Sequence, residues 1–450
     1  MIQISSFIFN FDIFIKRLIK ISLTISIICG IVQLLNYMFV GDDANFFERI
    51  VWHDFYEETD NIDNLFLGSS HVYCNIDPSL LDELNGQNNF NLSTGSQNFM
   101  GSYYALKEAV KRHNISYVYL EMYYDVSTGK EGVFKDPANL YRSWYNTDNM
   151  EPSLNKLDYM LTAFEKENYL ETFLPFIRCR EKLFDIGYID ARLRHKKEQN
   201  YLEFTCLRTG ENNEITEYRD KGYSYSTENI ETQDLCWAKN KVLNRSPLTE
   251  DAKLYLEKII EFCLENKIEI ILFSSPIYEL QLISVDNYDD YVTEINEIAD
   301  KYDVPYLDFN LCKEEDFPIQ NTDNFRDIGH LNHQGAQMFT KYFWKTIDKK
   351  DKSSFCKSYK EKLNSSKRKV YGLIYLDDGK KRKYEIATNR ESEMEYQVKF
   401  SPESNIPAII IKDYSKEKVF EMESNDHGIF EITVKLPECQ DVFQVLKIEY

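Results

Sequence analysis

The sequence predicts an α/β protein built on a parallel sheet covered by helices on both faces, preceded by one transmembrane helix and followed by a small antiparallel β-sandwich. Three observations carry that expectation. An uncharged run of about twenty residues lies near the N-terminus; short apolar runs alternate with helical patterns through the middle of the chain; and short strands succeed one another after residue 370.

From Ile21 to Val40 no residue is charged, and about twenty apolar-leaning residues suffice to cross a bilayer's hydrocarbon core as a helix. Lys16, Arg17 and Lys20 precede this run, whereas Asp42, Asp43 and Glu48 follow it. The positive-inside rule therefore leaves residues 1–20 in the cytoplasm and the rest of the chain outside, anchored to the cell membrane by a single pass. A cleaved signal peptide is the alternative. The run is longer than a usual signal core, and Tyr37-Met38-Phe39-Val40-Gly41 lacks a small-x-small cleavage site, so the anchor reading is preferred.

Residues 41–348 are expected to form the main domain. Its strands are Asn64–Leu67, Phe90–Leu92, Tyr117–Met122, Ile268–Phe273 and Pro305–Phe309. Leu256, Ile259, Ile260, Cys263 and Leu264 recur at helical spacing, as do Tyr288, Tyr291, Val292, Ile295 and Ile298, so both stretches should pack on the sheet; a last helix is expected at Gln334–Ile347. The segment 127–247 has no strand periodicity and is too long for a connecting loop. It is expected to hold helices of its own and to roof the site, with Trp144, Tyr145, Tyr223, Tyr225 and Trp237 as core residues or as the wall of a sugar cleft. Residues 349–369 are rich in Lys and Ser and read as a linker. Beyond them, seven strands with an Asp378-Gly379 turn suggest a β-sandwich over residues 370–450.

Composition narrows the function. With 43% apolar and 14% aromatic residues the chain can bury a large core, and a net charge of −21 would repel a polyanion, so no nucleic-acid partner is expected. The nine cysteines are scattered without a CxxC pair, which suggests neither a disulfide framework nor a metal knuckle; Cys263 and Cys312 read as small buried hydrophobes.

The chemistry concentrates in Asp327-Ile328-Gly329-His330-Leu331-Asn332-His333. A carboxylate three residues before a histidine can fold back onto the imidazole, fix its tautomer and leave the other ring nitrogen to take a proton from a nucleophile. That nucleophile is sought at Leu65-Phe66-Leu67-Gly68-Ser69-Ser70, a strand that breaks at glycine and presents serine on the next turn. A serine at this place also suits a helix N-cap. In an open parallel sheet the loops at the carboxyl ends of the strands gather on one edge. Ser70, the loop Asn91–Asn98, Glu121 and Asp327/His330 should therefore meet. Glu121 is read as a structural acceptor or a second acid, and His71 as a substrate contact or a supporting group. Asp327, His330 and His333 would also make an O/N/N metal set, but no further ligand pair accompanies them, so no metal and no cofactor is expected.

In the order of these blocks the chain resembles the SGNH/GDSL hydrolase superfamily, over about residues 62–120 and 267–347, most specifically in Asp327-x-x-His330-Leu331-Asn332 with Gly335. The resemblance implies a flavodoxin-like α/β/α sandwich, Ser70 as nucleophile with Ser69 where Asp is usual, and the backbone N–H groups of Ser70 and Gly95 as oxyanion donors. Where the family pattern has Gly-x-Asn-Asp, this chain has Leu120-Glu121-Met122-Tyr123. The usual oxyanion asparagine is missing, and Asn98 or Gln97 is the substitute suggested by position. With its anchor and Gly-Ser-Ser start the chain is most similar to members that modify surface polymers, as in alginate O-acetylation and teichoic-acid D-alanylation. That similarity implies a serine esterase or O-acyltransferase acting on a cell-surface polysaccharide, with a multi-spanning membrane acyltransferase as companion. The missing asparagine suggests the alternative of an inactive, glycan-binding protein of the same fold.

Overall fold

The computed structural model describes residues 11–39, 46–210, 213–229 and most of 247–362, together with the backbone of strands between residues 370 and 449. The chain opens with α1 (Phe11–Phe39), whose stretch Phe14–Phe39 is long and apolar enough to cross a bilayer. Next come α2 (Phe46–Glu57), β1 (Asn64–Leu67), α3 (Ser70–Asn75), α4 (Pro78–Asn85), β2 (Asn89–Asn91), α5 (Phe99–Ala109) and β3 (Tyr117–Glu121).

A long insertion follows, with α6 (Leu140–Thr147), α7 (Leu154–Ala163), α8 (Tyr169–Phe173), α9 (Ile186–His195), α10 (Gln199–Leu202) and an antiparallel sheet of β4 (Leu207–Thr209), β5 (Ile215–Arg219) and β6 (Tyr223–Ser226). The α/β pattern then resumes with α11 (Glu250–Glu265), β7 (Glu269–Ser274), α12 (Glu279–Leu282), α13 (Tyr288–Lys301), β8 (Tyr306–Asp308) and α14 (His333–Lys349).

The main sheet runs β2-β1-β3-β7-β8 and every pair in it is parallel. Numbered within this sheet the order is 2-1-3-4-5, the flavodoxin-like arrangement, in which ligands sit outside the carboxyl ends of the strands where the order reverses. That reversal falls between β1 and β3. Strand β1 is buried on both faces, as expected for a central parallel strand. One core layer gathers Leu65, Leu67, Val118, Leu120 and Leu272 with Leu256, Ile259 and Ile260 of α11 and Tyr291 and Ile295 of α13. The other gathers Phe66, Tyr119 and Phe273 with Val72, Leu81, Phe339 and Phe343 of α3, α4 and α14. Cys263 and Cys312 are buried in these layers, and the cysteines among the described residues are all free thiols.

Among the described residues the C-terminal strands form a five-stranded and a four-stranded antiparallel sheet, nine strands rather than the seven expected. The two added strands are Lys380–Lys381 and Arg390–Glu393, which have no apolar alternation to announce them. The 378–379 turn lies outside the described residues. In the insertion, β4–β6 corrects the expectation of helices alone. Leu207–Thr209 is exposed and β5 is only half-buried, so these two strands leave no apolar period in the sequence, and β6 alternates tyrosine with serine over only four residues.

Candidate active site

Strand β1 ends at Gly68, whose φ of +154° lies outside what side chains favour and where a Cβ would come within 2.5 Å of Glu121 Cβ. The chain can therefore pass close over the end of β3 and start α3 at once. Ser69 is the N-cap of α3, its side chain accepting the His71 N–H. The capping role that the sequence allowed for Ser70 thus belongs to its neighbour. Ser70 is the first residue of the helix, half-buried, with its hydroxyl turned into a cavity of about 380 Å³.

Across that cavity stands His330. Ser70 Oγ lies 2.7 Å from His330 Nε2, although 260 residues separate the two in the chain. On the far side of the ring, Nδ1 is 2.9 Å and 3.0 Å from the two Asp327 carboxylate oxygens. Asp327 Oδ1 also accepts the backbone N–H groups of Gly329 and His330, at 2.8 and 2.9 Å. These local bonds explain why an acid three residues before a histidine meets its ring: the carboxylate closes the turn with the same oxygen that orients the imidazole. The loop is tied to α3 by Leu331 N–H donating to Asn75 Oδ1 at 2.9 Å.

Electrostatics fix the proton positions. An ionised carboxylate only accepts, so Nδ1 carries the proton and Nε2 presents its lone pair to the serine hydroxyl. Burial pushes the Asp327 pKa up, but His330, Arg326 and the Gly329 N–H outweigh it and hold the carboxyl well below its usual range. Arg326 Nε stands 3.7 Å from Asp327 Oδ2.

A second imidazole lies behind the first. His71 is buried, its ring 4.6 Å from that of His330 and 4.0 Å from that of Tyr123. Burial, and then the nearby His330, lower its pKa well below the ordinary value. It is neutral, so its 3.6 Å approach to Glu121 is a polar contact and not an ion pair. Glu121 accepts both the N–H and the hydroxyl of Ser69, each at 2.7 Å. Burial pushes its pKa up to about 7 despite those two bonds. Glu121 is thus the acceptor that pins the turn before Ser70.

The expected oxyanion donors are placed unevenly. Gly95 lines the cavity, on a loop where Ser96 holds a left-handed φ of 51°. Its N–H, however, is taken: Glu48 Oε1 of α2 accepts it at 2.9 Å. Asn98 is the N-cap of α5, its Oδ1 accepting from Gly101 N–H at 2.9 Å. Its Nδ2 is buried without a hydrogen-bond partner, and Asn98 is not among the residues lining the cavity. Gln97 is held among Thr94, Ser102 and Asn146 by its own amide. Sequence reasoning missed Glu48, Tyr73, Tyr141 and Arg326, all of which line the cavity. The adjacency of Arg326 to Asp327 was the available signal for one of them; nothing in the sequence links Glu48 to Gly95.

Of the insertion's aromatics, Tyr145 on α6 reaches the cavity, as an element roofing the site would. Trp144 instead stacks on Phe164 at 5.7 Å. Tyr223 is buried and its hydroxyl meets His333 Nδ1 at 3.0 Å, while Tyr225 lies under the Arg219 guanidinium at 3.5 Å. His333 therefore turns away from Asp327 and His330, and the three do not form a metal set. Trp237 lies outside the described residues. A larger cavity, about 960 Å³, opens between β3, β7, β8 and the end of α14 and holds none of the candidate residues.

Comparison with curated proteins gives no match. A family model that carries no functional description matches residues 232–352. Among solved structures, a protein of Bacteroides fragilis NCTC 9343 assigned as an acylhydrolase aligns over 65% of this chain and 89% of its own, at 11% identity and a TM-score of 0.26. A two-domain esterase active on acetylated mannans, crystallised with mannopentaose, aligns over 86% of this chain and 85% of its own, also at 11% identity, with a TM-score of 0.27. At these values any assignment of the site rests on its own geometry.

Proposed function

We propose that this protein is a serine-dependent acyl-ester enzyme of the SGNH/GDSL type, held at the membrane by α1 and acting outside the cytoplasm on acyl groups, acetyl first among them, of a cell-surface polysaccharide. The observation behind this reading is the unbroken line from Ser70 Oγ through His330 to Asp327, at 2.7 and 2.9 Å.

In this reading Ser70 Oγ attacks the ester carbonyl as its proton passes to His330 Nε2. Asp327 stabilises the imidazolium without taking the proton. The oxyanion is met by the Ser70 N–H, free of an intrahelical partner at the first turn of α3, and by the Gly95 N–H once Glu48 yields it. Collapse expels the alcohol, which takes its proton from His330 and leaves an acyl-Ser70. An incoming hydroxyl, of water or of a sugar, then gives its proton to His330 and attacks that ester; collapse breaks the acyl–Ser70 bond, and His330 returns the proton to Ser70 Oγ. The cavity wall from α6, with Tyr141 and Tyr145, is where an acceptor sugar would be held against competing water. A multi-spanning acyltransferase is the proposed source of acyl groups. Residues 370–450 are proposed as a separate domain joined through 349–369.

One observation favours a second reading. The Gly95 N–H is occupied by a carboxylate in the resting site, and a protein that kept the fold only to bind glycan would have no need to free it. The test is to incubate the full chain with an acetyl ester and an acetyl-free oligosaccharide, then weigh the products. Acetylated sugar supports transfer, free acetate alone supports hydrolysis, and neither product from folded protein supports the binder.

A further inference from the structure

Contacts at the outer end of α1 determine how the rest of the protein stands on the bilayer. We propose that the segment around Phe184 and Ile186 is a second membrane contact, inserted from outside into the lipid headgroup region beside α1. This rests on α1 spanning the bilayer.

The insertion is fastened to the last turn of α1. Phe176 N–H donates to Asn36 Oδ1 at 3.1 Å, and the Cys179 thiol donates to the Phe39 carbonyl at 3.1 Å. Tyr188, in the first turn of α9, stacks on Phe39 with ring centres 6.2 Å apart, and the Lys196 ammonium lies 4.8 Å over the Tyr37 ring. From Lys20 to Phe39 an α-helix rises about 29 Å at about 1.5 Å per residue, which matches a hydrocarbon core of about 30 Å. With Lys20 at the inner boundary, Asn36–Phe39 sit at the outer one. The 175–190 segment, bonded to that turn, lies at the same depth.

Two large apolar side chains project from this segment among the exposed charged residues Arg180, Glu181, Lys182 and Asp185. Phe184 is 94% exposed and Ile186 81% exposed, two residues apart at the start of α9. Isolated exposed hydrophobics are ordinary on a protein surface. Here a nearly bare phenyl ring and a nearly bare sec-butyl group stand next to the mouth of a lipid-facing helix. Leu34 and Tyr37 of that helix are themselves 57% and 48% exposed, and Tyr188, two residues after Ile186, stacks on Phe39 of the same helix end. Several of the charges beside them are paired with opposite charges, Arg180 with Glu171, Lys182 with Asp185 and Arg194 with Asp190, and the exposed Glu181 adds a negative charge. The occupant is therefore the apolar edge of the outer leaflet, without a need for anionic lipid.

The full chain is placed in discs of zwitterionic phosphatidylcholine as wild type, F184W, I186W and, as a solvent control, L254W, which replaces a side chain 49% exposed on α11. The emission added by each introduced indole is read as the difference from wild type. The added emission of F184W and of I186W should be lost when the lipid carries a doxyl group near the headgroup and should resist aqueous iodide, with L254W showing the reverse. Added emission in F184W and I186W that iodide quenches as strongly as in L254W, in a chain that floats with the lipid, would overturn the second contact alone. A chain that fails to float with lipid would overturn the anchor, and the contact with it.

Discussion

For the proposed acyl-ester activity, Glu48→Ala is expected to raise the rate. Glu48 is 4% exposed, and its Oε1 holds the Gly95 N–H at 2.9 Å. An oxyanion can use that donor only after the carboxyl gives it up. A hydrogen bond to a charged group contributes about 1.5–3 kcal/mol, which at about 1.4 kcal/mol per decade corresponds to a rise of roughly 10- to 150-fold in kcat/KM when the competitor is removed. The donor regained is itself worth about 2.7–4 kcal/mol in the transition state, so the gain is visible above lesser effects of the truncation.

The effect should depend on pH with a defined sign. Burial raises the Glu48 pKa above the ordinary carboxyl value, against the opposing Gly95 bond. As pH falls through that raised value the wild-type carboxyl becomes neutral and a weaker acceptor, so the ratio of variant to wild-type rate should shrink. Steady-state kinetics on a p-nitrophenyl acyl ester, from pH 8 downward, reads both quantities. A tenfold or greater loss of kcat/KM in a variant with unchanged melting temperature would rule out Glu48 as a competitor for the donor, because the carboxyl would then be contributing to catalysis.

Three further outcomes follow from the same geometry. Asp327→Asn keeps an acceptor for the Gly329 and His330 N–H groups but turns an amide N–H toward His330, so the ring loses the tautomer that accepts from Ser70; kcat should fall about 10⁴-fold with little change in melting temperature. Glu121→Gln keeps the bonds to Ser69 but cannot ionise. The wild-type carboxyl, with its pKa raised to about 7 in the fold, favours the folded state most below pH 4.5, and that contribution is lost as pH rises through 7. Denaturant unfolding at pH 5 and pH 8 should therefore show a pH dependence on the order of 3 kcal/mol in wild type that is reduced in Glu121→Gln. Glu121→Ala leaves the buried Ser69 N–H without its partner and should cost about 1–3 kcal/mol at pH 5, and less at pH 8, where the wild-type carboxyl has lost its own contribution.

Much of this architecture is legible in the sequence because the central strands are short, apolar and flanked by glycine or polar turns. Asn64–Leu67 matches in full, and the other four parallel strands fall within a residue or two of where they are expected. The pairing of Asp327 with His330 is legible for a local reason: the turn that brings them together is made by the same carboxylate. Ser70 meets them because of topology, since β1 and the loop before α14 end on the same edge of the sheet.

What the sequence hides is tertiary. Glu48 reaches Gly95 from a helix whose own pattern says only that it is amphipathic. Asn98, proposed by position as a donor, caps α5 with its carbonyl oxygen; an Asn three residues before Gly101 at the start of an apolar helix was a capping signal outweighed by the search for a donor. The sheet β4–β6 is missed because β4 is exposed and β5 half-buried, and the buried β6 alternates tyrosine with serine over only four residues.

Acyl chemistry in this protein requires Ser70 to be a nucleophile activated by His330. Intact-mass measurement of the full chain treated with a fluorophosphonate reads that directly. One adduct per chain, mapped to Ser70 and abolished in both Ser70→Ala and His330→Ala, is the predicted result. Folded wild-type protein that gains no mass, or an adduct that persists in Ser70→Ala, would contradict it.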